Sequence, residues 1–98
     1  MYEIITIRAD YEGWWLFDDY REQATDIQSF IDRFEAINYY QQQLVKLRKI
    51  FCNEVIGKHK IHAFYNNCEI EFCESCDEEV QIFHSVLFLD DGKIVELI

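Results

Sequence analysis

Residues 32–51, DRFEAINYYQQQLVKLRKIF, decide how this 98-residue chain is read. Phe34, Ile37, Tyr40, Leu44, Leu47 and Phe51 recur at steps of three and four, which stacks them along one face of an amphipathic helix. Asp32 is the expected N-cap, with Glu35 three residues later in a capping-box pattern. Lys46, Arg48 and Lys49 suit the negative end of the helix dipole. Gln41, Gln42 and Gln43 are good helix formers and fill most of the exposed face.

The flanking sequence supplies the layer that such a helix needs. YEIITIRA (2–9) places Tyr2, Ile4, Thr6 and Arg8 on one side and Ile5 and Ile7 on the other, the alternation of a strand. DYEGWWLFDDY (10–20) is aromatic and bracketed by acids, with Gly13 turning the chain and Trp14 to Phe17 forming a short strand or an ordered loop. Residues 25–30 return as a strand. NEVIGKHK (53–60) reads as a loop around Gly57. IHAFYN (61–66) and EIEF (69–72) read as strands joined by a tight turn at Asn66-Asn67. VQIFHSVLFL (80–89) is apolar on both faces, as a central strand covered on each side would be. DDGK (90–93) is a hairpin signal before a last strand, IVELI. This order predicts a single α+β domain over 1–98, a largely antiparallel sheet of about five or six strands against one long helix at about 32–51.

Half of the residues are hydrophobic and 16% are aromatic, enough for one core and far from a disordered composition. The formal net charge is −10, whereas a chain that neutralises nucleic-acid phosphates should lean positive. The charge is uneven. Lys46, Arg48, Lys49, Lys58 and Lys60 face Glu54 alone within 46–60, while 68–79 holds Glu69, Glu71, Glu74, Asp77, Glu78 and Glu79 with no base. No apolar run approaches the roughly 18 residues of a membrane span, and no secretory signal opens the chain. A cytoplasmic location is expected, with Cys52, Cys68, Cys73 and Cys76 reduced.

The motif with the most chemical character is FCESCDEE (72–79). Zinc takes four ligands, and its strong signal is two cysteine pairs. Here Cys73 and Cys76 make one, with His84 eight residues beyond Cys76 and His59 and His62 upstream, so zinc is the alternative, on Cys73, Cys76 and His84, and no cofactor is the leading expectation. Glu74, Asp77, Glu78 and Glu79 would raise the thiol pKa and slow redox chemistry. His84, in the densest apolar strand, reads first as a hydrogen-bonded sheet residue. No phosphate-cradling glycine loop is present. No catalytic set stands out, and no enzyme activity is expected.

ADYEGWWLFDDY (9–20), AINYYQQQLVKLRK (36–49) and FCESCDEEVQIFHSVLFLDDGK (72–93) together resemble a small family of uncharacterised proteins from low-GC Gram-positive bacteria, a domain of unknown function whose members often carry a DNA-binding label. The matching positions are Trp14, Trp15, Phe17, Tyr39, Tyr40, Cys73, Cys76, Asp77, Gln81 and His84. Gly13 stands where the pattern has proline, and Cys68 where it is acidic. The resemblance implies an identity and no established activity.

Two function classes follow. Tryptophan is enriched at protein–protein hot spots, and acid-rimmed aromatics suit a basic partner surface. The first expectation is therefore a protein-interaction or regulatory module that docks a partner on Trp14, Trp15, Phe17, Asp18 and Asp19, one tryptophan filling the core and the other presented outward. The second, which the family label suggests, is nucleic-acid binding through Lys46, Arg48, Lys49, Lys58 and Lys60. An exposed sheet edge would also serve a homodimer.

Overall fold

The computed structural model describes residues 1–16, 20–67, 69–73 and 78–96, with the backbone alone for Phe72, Cys73 and Glu78. Its elements run β1 (Tyr2–Ala9), β2 (Ala24–Phe30), α1 (Arg33–Ile50), β3 (Asn53–Ile56), β4 (His62–Tyr65), β5 (Ile70–Cys73), β6 (Glu78–Gln81), β7 (Phe83–Asp90) and β8 (Lys93–Ile94). The main sheet is ordered β2-β1-β7-β4-β3 with antiparallel neighbours throughout, and β8 pairs with the end of β7. The fold is α+β, one long helix on a mostly antiparallel sheet.

Strand alternation explains the two cores. In β1 and β7, consecutive side chains point to opposite faces. Ile4, Val86 and Phe88, with Phe64 of β4, pack beneath Ala36, Tyr40, Leu44 and Leu47 of α1. Ile5, Ile7, Leu87 and Leu89 form the other core with Ile61, covered by Tyr11, Trp14, Leu16 and Tyr20. β7 is thus buried on both faces, and the aromatic segment after β1 does the work of a second layer. Each fully buried aliphatic side chain here contributes about 1.5–3 kcal/mol.

Asp32 caps α1, its Oδ1 accepting from the Phe34 N–H at 2.9 Å. Phe34 itself is 80% exposed, so it does not belong to the core stripe. Two successive steps of three residues rotate a stripe by about 120°, and the sheet meets the helix along Ala36 instead. The small side chain at Ala36 takes the contact that the larger Phe34 was expected to make.

Three further expectations are corrected. Residues 53–56 are β3, the strand beyond β4, rather than loop. Asn66-Asn67 does not make a β4–β5 hairpin, because β5 pairs with β6 in a separate two-stranded ribbon. The run 80–89 is broken at Ile82, which is buried and separates β6 from β7. Polar contacts dock the ribbon to the sheet: Ile82 N–H donates to Glu69 O at 3.1 Å, and the Gln81 amide donates to the carbonyls of Asn66 and Glu69. The DDGK hairpin is present, Asp90 opposite Lys93, with positive φ at both Asp91 (49°) and Gly92 (81°) as a type I′ turn requires. Among the described residues, no helix is long and apolar enough to cross a membrane.

Candidate functional site

Two places on the sheet gather side chains with chemical character, one on each face. The first is an aromatic corner. After β1 the chain folds back over the sheet, and the Gly13 N–H donates to the buried Ser85 Oγ at 2.9 Å. Gly13–Trp15 form one 3-10 turn, ended by Leu16 in the left-handed region (φ 51°, ψ 46°). Because the backbone is a turn and not a strand, Trp14 and Trp15 diverge by rotation. Trp14 lies half-buried on the second core. Trp15 is 48% exposed.

Trp15 is nevertheless fixed. Its Nε1–H donates to Glu12 Oε2 at 2.8 Å, and Lys58 Nζ stands 4.7 Å from the ring centroid, a cation–π contact. Lys58 comes from the β3–β4 connection, where His59 and Lys60 both hold positive φ (57° and 55°). That conformation is uncommon for residues with a Cβ and costs each of them of order 1 kcal/mol or more. Beside the corner is a groove of about 350 Å³ lined by Glu12, Trp14, Val55, Tyr65 and Phe83. β3 borders it as the last strand of the sheet, its outer edge unpaired among the described residues.

The second place is a cleft of about 470 Å³ on the opposite face, between α1 and the polar ends of β1, β2 and β7. Thr6 and Asp26 are cross-strand neighbours on its floor. The Tyr39 hydroxyl of α1 donates to Asp26 Oδ2 at 2.6 Å, and Gln28 Nε2 donates to Oδ1 at 3.0 Å. These bonds, the one from Tyr39 foremost, hold the Asp26 carboxyl below its ordinary range, and the charge of Lys46 adds to them. Burial and the neighbouring carboxylate push the Tyr39 phenol up to about 12. His84 lines the cleft too, its ring stacked on Phe51 at 4.3 Å and its Nε2 2.7 Å from Glu69 Oε1. Leu47, Ile50 and Phe51 form an apolar wall.

A separate polar network sits at the C-terminal end of α1. Arg48 donates through Nε and Nη2 to the two oxygens of Glu54, at 2.7 and 2.9 Å, and His62 Nδ1 lies 2.5 Å from Glu54 Oε2. The bidentate arginine, helped by His62, pulls the Glu54 carboxyl down to about 2.

These positions redistribute the residues singled out in the sequence. Of the aromatic-acidic set, Trp14 and Trp15 occupy the corner, whereas Phe17, Asp18 and Asp19 lie outside the described residues. The five basic residues are not brought together: Lys46, Arg48 and Lys49 belong to α1 on one side of the sheet, and Lys58 and Lys60 to the loop beside Trp15 on the other. Arg48 is moreover committed to Glu54. For the alternative zinc set, Cys76 and the Cys73 side chain lie outside what is described, and His84 is paired with Glu69. Among the described residues no three His, Cys, Asp or Glu side chains converge as metal ligands. The cleft was missed because Thr6, Asp26 and Tyr39 come from three elements that only the fold joins. The one signal in the sequence was Thr6, a hydroxyl next after Ile4 on the mixed side of β1 that ends in Arg8.

No curated protein and no solved structure matches the chain. Residues 1–97 match the family model described as a protein of unknown function, DUF1033, and the chain belongs to that family.

Proposed function

We propose that this chain is a protein-docking module, in which the corner around Trp15 and the open edge of β3 receive an extended, basic segment of another protein. The observation that carries the reading is that Trp15 is half-exposed yet held from two sides by Glu12 and Lys58. An aromatic ring that is already ordered loses little rotational freedom on binding, which is what an interface anchor needs. The adjoining groove and Val55, exposed on β3, extend the apolar surface toward backbone groups that a further strand would pair. The net charge of −10 favours a basic partner by steering its approach.

A photo-crosslinking amino acid placed at Val55, beside the groove, with a second protein carrying it at Gln41 on the outer face of α1, tests this inside cells. A discrete adduct from position 55 that is absent from position 41, and is lost on Trp15→Ala, is expected. Equal labelling at the two positions, or none at position 55, would count against docking at this corner.

A further inference from the structure

The main sheet ends in β3 on one side and β2 on the other, and the two edges differ. β3 is four residues long, whereas β2 runs for seven, Ala24–Phe30. β2 pairs with β1, and its outer edge has no neighbouring strand among the described residues. The one irregularity in that pairing falls at Thr25, which leaves Asp26 to Phe30 regular. Sheet edges are commonly guarded by lysine, proline or a very short strand. β2 has none of these, and Asp26 is its one charged residue. In a chain of net charge −10, this edge adds little to the repulsion that a second, equally charged molecule would meet. At its middle, Ile27 is 44% exposed beside Ile5 of β1, on the rim of the second core.

We infer that β2 pairs antiparallel with β2 of a second copy of this chain, about a twofold axis through Ile27. The side chains select that register. Centred on Ile27, the pairing sets Ile27 against Ile27 and Asp26 of each copy against Gln28 of the other. Centred on Asp26, it would set two carboxylates face to face, which is destabilising. Centred on Gln28, it would leave Ile27 against Ser29 and Asp26 against Phe30. Gln28 gives one amide hydrogen to Asp26 of its own chain and has a second to give across the axis. The Ile27 pair carries the second core from one copy into the next. Because the contact is isologous it closes at two copies, and the β3 edge of each stays open for the docking proposed above.

Sedimentation equilibrium of the purified chain over a concentration series tests this. A dimer is expected, and it should tighten as salt rises, because screening relieves the repulsion between two molecules of charge −10. Ile27→Lys, a change at an exposed position, should weaken association by about tenfold or more. Val55→Lys on β3 and Trp15→Ala should leave it unchanged, which separates this edge from the docking corner. Position 28 tests the register. Gln28→Lys faces Asp26 twice and should tighten the dimer about threefold or more, whereas Gln28→Glu should weaken it by a similar factor. A monomer throughout the series, a dimer untouched by Ile27→Lys, or the same shift for Gln28→Lys and Gln28→Glu would overturn the assignment.

Discussion

The Cβ that Gly57 lacks would lie 2.4 Å from the indole ring of Trp14. That contact welds the β3–β4 connection to the aromatic segment after β1, two stretches more than forty residues apart in the chain. It also sets where Lys58 and Trp15, the next residue of each stretch, can meet. Gly57→Ala should therefore destabilise the protein by about 1–3 kcal/mol, the usual cost of overpacking. In a Trp14→Ala background the same change should cost far less, and denaturant unfolding of the four proteins in this cycle checks the coupling.

Thr6→Val should act in the opposite direction. The substitution keeps the shape of the side chain and removes a buried hydroxyl that has no partner. Stabilisation by about 1 kcal/mol is expected in denaturant unfolding. A destabilised Thr6→Val protein would mean that the hydroxyl is satisfied in solution.

The Glu54 network gives a pH dependence with a definite sign. Its carboxyl falls from an ordinary 4.5 to about 2 in the folded chain, mainly through Arg48. A depressed carboxyl contributes stability that is fully present above pH 4.5 and is lost as pH falls toward 2. Arg48 is about half-exposed, so solvent screening reduces the contribution to about 1–2 kcal/mol. Glu54→Gln should therefore be less stable than the parent by that amount at neutral pH. The gap should close as both proteins are unfolded in denaturant at progressively lower pH down to about 2.

Tyr39 provides a spectroscopic check on the cleft. With its phenol raised to about 12, it should ionise well after an exposed tyrosine in an absorbance titration. Tyr39→Phe should reduce the late-ionising absorbance, to which the buried Tyr40 also contributes, and, by freeing Asp26 from its strongest hydrogen bond, cost about 1–2 kcal/mol at neutral pH.

Much of the fold was readable because its signals are local. The helix announced itself through Tyr40, Leu44 and Leu47, and Asp32 through its position before them. The alternation in residues 2–9 and the DDGK turn depend only on neighbours in sequence. What escaped depends on distant partners. β3 is four residues long, and it becomes a strand through pairing with β4 that periodicity cannot display. The break at Ile82 falls within an unbroken apolar pattern, so only the docking of the ribbon by Gln81 reveals it. Trp14 and Trp15 were legible as one inward and one outward residue, but the 3-10 turn that separates them was not. Gly57 gave no hint that it lies against Trp14, and the cleft needed three elements brought side by side.

The corner at Trp15 is the proposed surface for recognising other proteins, and a display selection addresses it without knowledge of the natural partner. Random seven-residue peptides would be selected on the parent protein and on Trp15→Ala. The expected result is enrichment of lysine and arginine alternating with apolar residues on the parent, weakening as salt rises, and its loss on Trp15→Ala. Enrichment of acidic peptides, or the same basic peptides recovered equally well on Trp15→Ala, would contradict it.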